Sequence, residues 1–173
     1  MAEDLIDGVV AAWRSKLPGL AKREFELIKR VARLQVLLEE ALLREITPYG
    51  LSKTEYEILG TLLSVGAPYR LRPTDLTSHL LLTSGGTSKM LKKLAVAGLV
   101  EREPDPADAR TSWVRLTRHG MDIAREVVEA AAGAQLAVLQ PVDRTVVNEA
   151  ADSLREILLA LGDRPARTPK RGR

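Results

Sequence analysis

Apolar residues recur at helical spacing through the first half of the chain, and the pattern breaks wherever proline and glycine gather. Leu5, Ile6, Val9, Val10 and Trp13 define a short helix that stops near Pro18. A longer segment, from about Ala21 to Ile46, carries Leu27, Val31, Leu34, Leu38 and Leu42 on one stripe; Thr47, Pro48, Tyr49 and Gly50 end it. Ser52, with Glu55 three residues later, is a capping box that opens a further helix. That helix turns Tyr56, Leu59, Leu62 and Leu63 inward and stops by Gly66-Ala67-Pro68.

Pro73 suits a first helical turn, where its missing N–H costs nothing, so a helix of about two turns is expected from Pro73 to Leu80. After a tight connection at Leu81-Leu82-Thr83, the segment Ser84 to Ala97 reads as a helix with Met90, Leu91, Leu94 and Ala97 toward the core. Lys89, Lys92 and Lys93 face outward, and Gly98 stops the helix. Two helices joined by a short turn, the second basic on its free face, form a helix-turn-helix. Beyond Gly98 the period shortens: residues 99–103 and 112–116 read as half-buried strands around a Pro-Asp-Pro loop, making a wing. Thr117 to Gln140 and Asp143 to Leu161 are helical again, separated by Pro141, with more Ala, Val and Leu than one small domain needs to bury. Such a pair is most simply a dimer interface. The fold class expected is therefore mainly α with a small two- or three-stranded wing.

Composition narrows the chemistry. The 173 residues include no cysteine, which excludes disulfides, zinc-thiolate sites and thiol nucleophiles. No run of 18 apolar residues or signal-peptide layout is present, so the expected location is cytoplasmic with no membrane partner. The net charge of +3 is local: Arg164, Arg167, Lys170, Arg171 and Arg173 against Asp163 give residues 163–173 a charge of +4, and the body is about neutral. This tail reads as disordered and basic, and bulk charge is weak evidence for a nucleic-acid partner. There is no Gly-x-Ser-x-Gly elbow, Walker loop, dinucleotide fingerprint or His-rich cluster, so an enzyme is not expected, and neither is a cofactor or metal. His79 and His119 read as surface or DNA-side residues.

The residues that would carry DNA readout lie at the start of the second helix-turn-helix helix. Thr83, Ser84, Gly85, Gly86, Thr87 and Ser88 offer hydroxyls, free N–H groups and close backbone approach, while Lys89, Lys92 and Lys93 suit phosphates or guanine. Taken singly, Ser84 also reads as a cap and the lysines as a solvated face.

The order of these elements resembles the MarR family of transcriptional regulators, at three places above all. These are Leu51-Ser52-x-x-Glu55-Tyr56, then Leu94-x-x-x-Gly98-Leu99-Val100-Glu101-Arg102, and finally Asp105-Pro106-x-Asp108-x-Arg110 with Leu116-Thr117-x-x-Gly120. The resemblance covers roughly residues 20 to 162. It implies a homodimer on a pseudopalindromic double-stranded operator with half-sites about 10 base pairs apart, with Arg110 at the wing tip in the minor groove; Asp108, two residues before it, is expected to orient it or to pair with a basic residue nearby. The domains expected are an extra N-terminal helix (1–18), dimerisation helices (19–48 and 118–162), a winged helix-turn-helix lobe (51–117) and the basic tail (163–173).

The extra helix and Pro68-Tyr69-Arg70-Leu71-Arg72-Pro73-Thr74 are similar to the urate-responsive branch of that family. There the resemblance implies a ligand site on Trp13, Glu57, Arg102 and position 90. Position 90 is Met where the branch has arginine, and Glu57 stands for an aspartate. Methionine neither neutralises nor hydrogen-bonds an anion, which turns the expectation from urate toward a less charged phenolic or purine-like ligand. The function expected is a sequence-specific repressor released by a small aromatic or anionic ligand. The alternatives are a winged-helix DNA-binding protein with no effector and a protein-binding winged-helix module.

Overall fold

The computed structural model describes residues 3–17, 19, 22–80, 84–105 and 108–163, the side chains of residues 79, 84, 85, 105 and 108–111 excepted. The chain divides into two units, Met1–Gln135 and Leu136–Arg173.

Helix α1 (Leu5–Lys16) starts at a second capping box, one that sequence reading did not single out. Asp4 Oδ1 accepts the N–H groups of Ile6 and Asp7 at 2.8 and 3.0 Å, and Asp7 Oδ2 accepts the N–H of Asp4 at 2.8 Å. Arg30 of helix α2 (Arg23–Ile46) then clamps both carboxylates, each at 2.8 Å, so the long helix holds the start of the short one. Ile6 and Val10, one turn apart, are the buried residues of α1. Along α2 only Ala41, Leu42 and Ile46 are buried, and the predicted stripe Leu27, Val31 and Leu34 stays exposed. A 3-10 turn at Thr47–Tyr49 and Gly50, whose φ of +67° suits glycine, then redirect the chain.

Helix α3 (Lys53–Ser64), strand β1 (Arg70–Leu71), helices α4 (Pro73–Leu80) and α5 (Ser84–Val96), strands β2 (Val100–Asp105) and β3 (Asp108–Leu116), and helix α6 (Arg118–Leu139) follow. Ile46, Ile58, Leu59, Leu62, Leu76, Leu91, Leu94, Val114 and Val127 close into one core, each at most 1–2% exposed. Burial of each such Leu or Ile contributes roughly 1.5–3 kcal/mol, so the helix-turn-helix is fixed by packing as much as by its turn. Ala97, expected inward, is exposed, because α5 has ended at Val96 and the chain is already turning through Gly98 at φ +69°.

The sheet is antiparallel in the order β1-β3-β2. Its third strand, only two residues long, is too short for an alternation to reveal; it pairs Arg70 with Arg115 and Leu71 with Val114. The hairpin also reaches further than predicted. Pro104 pairs with Ser112 and Asp105 with Asp108 across a register shift, which places Arg110 on β3 rather than at a loop tip. In the second unit, helix α7 (Arg144–Ala160) is capped by Asp143 and buries none of its residues.

Candidate nucleic-acid interface

The orientation of α5 follows from which of its residues are buried. Thr87, Leu91 and Leu94 face the core, which leaves Gly86, Ser88, Lys89 and Lys92 exposed on the opposite side. Thr87 corrects the sequence reading. At 1% exposure, with its Oγ1 3.2 Å from Thr77 Oγ1 on α4, it fixes one helix of the pair against the other instead of presenting a hydroxyl to DNA. Ser84 and Gly85 open α5, with their side chains outside the described set; Thr83 lies outside the described residues altogether. Asp108 and Arg110 are placed on β3 by their backbones only.

Lys93 is likewise not a free cation. Its Nζ donates to Glu55 Oε2 at 3.0 Å and to the Gly50 carbonyl at 3.4 Å. Glu55 is 1% exposed, and the same oxygen accepts the Ser52 N–H and hydroxyl, both at 2.8 Å. Burial pushes the Glu55 carboxyl up, but the Ser52 N–H, Lys93 and the Ser52 hydroxyl outweigh it and hold the group below its ordinary value. The capping box was legible in the sequence. Its use as an anchor for a lysine 38 residues away has no local signal.

The outer face of the sheet holds a cluster that sequence reasoning missed. The guanidinium groups of Arg70 and Arg72 lie 4.8 and 4.9 Å from the centre of the Trp113 ring. Arg70 also pairs with Glu103 at 3.2 Å, and Arg115 with Glu101 at 2.7 Å. Alternation along β3 is the signal that was available, since Trp113 and Arg115 must face away from buried Val114 and Leu116.

The residues of the expected ligand site are not joined. Trp13 is 41% exposed, edge-on to Phe25 at 6.4 Å, and lines a shallow cavity of about 170 Å³ with Ala12 and Lys16. Glu57 is half-buried on α3, Arg102 is exposed on β2 opposite Val114, and Met90 packs against the lobe's core with its sulfur 4.0 Å from Ser52 Oγ. No hydrogen bond or ion pair among the described residues connects Trp13, Glu57 and Arg102. No group of three or more His, Asp or Glu fit to hold a metal occurs among the described residues either.

A core-packed helix pair, an exposed basic and hydroxyl-bearing second helix and a β-hairpin beside it define a winged helix-turn-helix. Residues 49–111 match the sequence profile of the MarR family. The regulator PecS of Dickeya dadantii (strain 3937) is 29% identical over 136 residues, which span 79% of this chain and 82% of that protein. Two solved structures from Streptomyces coelicolor share the fold, each at 24% identity and a TM-score of 0.69. AbsC covers 83% of this chain and 97% of its own, and Sco3205, determined in complex with DNA, covers 85% and 92%. The lobe of this chain thus has the winged-helix fold and, over residues 49–111, is similar to the MarR family; the relatives PecS and PapX are transcriptional regulators by name.

Proposed function

We propose that the chain is a sequence-specific DNA-binding transcriptional repressor that works as a homodimer and is released from its operator by a small aromatic or anionic ligand. The carrying observation is the exposed face of α5, where Ser88, Lys89 and Lys92 are open to solvent while Leu91 and Leu94 lock the helix from behind. A helix held that way enters a major groove as a rigid body, with its small hydroxyl residues toward base edges and its lysines toward guanine or phosphate. The Sco3205 complex supports the reading, because the matching fold in that structure is bound to DNA.

Dimerisation is supported by apolar surface left exposed among the described residues. Leu27, Val31 and Leu34 on α2 are exposed, and so are Val146, Leu154, Ile157 and Leu158 on α7. Residues 19–48 and 118–162 are the dimerisation helices of this proposal, and 51–117 is its DNA-binding lobe. The ligand part rests on Trp13, an aromatic ring left open beside Lys16, and on the exposed Arg102. Among the described residues no helix is long and apolar enough to cross a membrane.

A gel-shift titration on DNA flanking the chain's own gene tests this, repeated across salt and with urate, salicylate and other phenolic acids. Tight, sequence-selective binding relieved by one compound is the expected result. Selective binding that no compound relieves removes the effector. Weak binding indifferent to sequence and abolished by salt refutes the operator reading and favours a protein partner.

A further inference from the structure

The contacts of Lys93 separate it from the lysines beside it. At about 100° per residue, Lys93 lies about 40° from Lys89, on the side of α5 next to Met90, whose sulfur is 4.0 Å from Ser52 Oγ. Its stem is exposed, but its ammonium group turns back toward Glu55 Oε2 and the Gly50 carbonyl. Glu55 is committed to that contact. One of its oxygens collects three donors, from Ser52 N, Ser52 Oγ and Lys93 Nζ, while the other, Oε1, is buried with no hydrogen-bond partner among the described residues. A carboxylate so enclosed has no ready alternative to the lysine, because removing the cation leaves an uncompensated buried charge.

The other end of the contact is equally fixed. Gly50 follows the 3-10 turn that ends α2, and the hydroxyl of its neighbour Tyr49 donates to Glu126 of α6 at 2.6 Å. Lys93 therefore ties the last turn of α5 to the junction where α2 passes into the lobe, and that junction is tied in turn to α6. A helix held at its core stripe alone keeps some freedom to roll about its own axis. A tether on the flank removes it, and the roll decides which side chains meet base edges.

We propose that Lys93 is a positioning residue, setting the rotation of the recognition helix through Glu55 and Gly50 rather than touching DNA. This rests on the DNA-binding reading above and deepens it.

The test measures affinity for a duplex of the DNA flanking the chain's own gene at several salt concentrations. Wild type is compared with the variants Lys92→Ala, Lys93→Met, Lys93→Arg and the charge-free pair Glu55→Gln with Lys93→Gln. Removing a lysine that touches a phosphate lowers the slope of log affinity against log salt by about 1. Lys92→Ala is expected to lower it; Lys93→Met is expected to weaken binding about tenfold, the scale of one charge-assisted hydrogen bond, with the slope unchanged. Lys93→Arg keeps the tether and recovers most of the affinity. If Lys93→Met does not fold, the charge-free pair, which leaves no buried ion alone, is expected to weaken binding equally at the same slope. A slope that falls with Lys93 as it does with Lys92 overturns the proposal, and so does wild-type affinity in Lys93→Met or in the pair. Failure of the wild type to bind selectively refutes the DNA reading itself, an outcome no Lys93 variant can mimic.

Discussion

Replacing Gly120 by alanine should destabilise the protein, although helix propensity alone predicts the opposite. Gly120 is buried in the first turn of α6, and a Cβ built there overlaps the Leu99 carbonyl oxygen and comes within 2.6 Å of the carbonyl carbon. That carbonyl cannot easily retreat. It accepts the Thr117 N–H at 3.1 Å and faces the Thr117 hydroxyl at 3.4 Å, while the N–H of Leu99 is bonded to Leu94 O at 3.0 Å. The Thr117 hydroxyl in turn bonds Gly98 O at 2.7 Å and caps the Gly120 N–H at 2.8 Å. Overpacking against backbone costs about 1–3 kcal/mol, a weakened Thr117–Leu99 bond about 1 kcal/mol, and the gain of alanine over glycine in a helix returns about 1 kcal/mol. The net loss is about 2 kcal/mol, which for a chain of this size lowers Tm by about 4–8 °C. Thermal unfolding followed by circular dichroism at fixed protomer concentration measures it. Gly8→Ala in α1, where a Cβ meets nothing within 4 Å, is the control and should be neutral or stabilising. A Gly120→Ala protein with unchanged or raised Tm would refute the reasoning that this glycine exists to admit the Leu99 backbone.

Ser52→Ala removes the hydroxyl that caps α3 and touches Glu55, and should cost about 1–2 kcal/mol in denaturant unfolding; a change below a few tenths would mean the cap is idle. Arg30→Ala should release α1 and speed its proteolytic clipping while the lobe survives, since Arg30 is the ionic link from α2 to both Asp4 and Asp7. The same link carries a pH dependence. Hydrogen bonding to Arg30 holds the Asp4 carboxyl below its ordinary value of 3.8, so its contribution is complete above that pH and lost as pH falls through the lowered folded value. Trp13 fluorescence in a Trp113→Phe background should therefore stay constant down to about pH 4 and change below it; a transition near neutrality would point to another group. Trp113→Leu removes the ring on which Arg70 and Arg72 stack and should cost about 0.5–2 kcal/mol of stability, read by chemical denaturation, with no change expected if the guanidinium groups hold their places without the ring.

The helices were legible because their signals are local. Pro73 marked the start of α4, Ser52 and Glu55 the start of α3, and the apolar spacing of Leu91 and Leu94 the inner face of α5. The candidate interface was legible as a segment but not residue by residue. Whether Thr87 and Lys93 face DNA or protein depends on partners at Thr77 and Glu55, and a helical wheel shows an angle without showing what stands there. The Trp113 cluster was missed because it needs β1, and two residues make no periodicity; only the pairing of Arg70 with Arg115 brings the arginines over the ring. The three-residue ligand site came from resemblance alone, with Trp13, Glu57 and Arg102 on three different elements, α1, α3 and β2.

α7 is 17 residues long and buries none of them among the described residues, so in the proposed dimer the protein's integrity depends on how much of it there is. In the proposed dimer α7 finds its core on a second copy, so dilution withdraws folding free energy that no internal contact replaces. A cell with few copies would hold chains with an open apolar helix, the form that proteases degrade first. Loss of the proposed regulator would then steepen as its level drops, giving any gene it controls a threshold set by protein turnover.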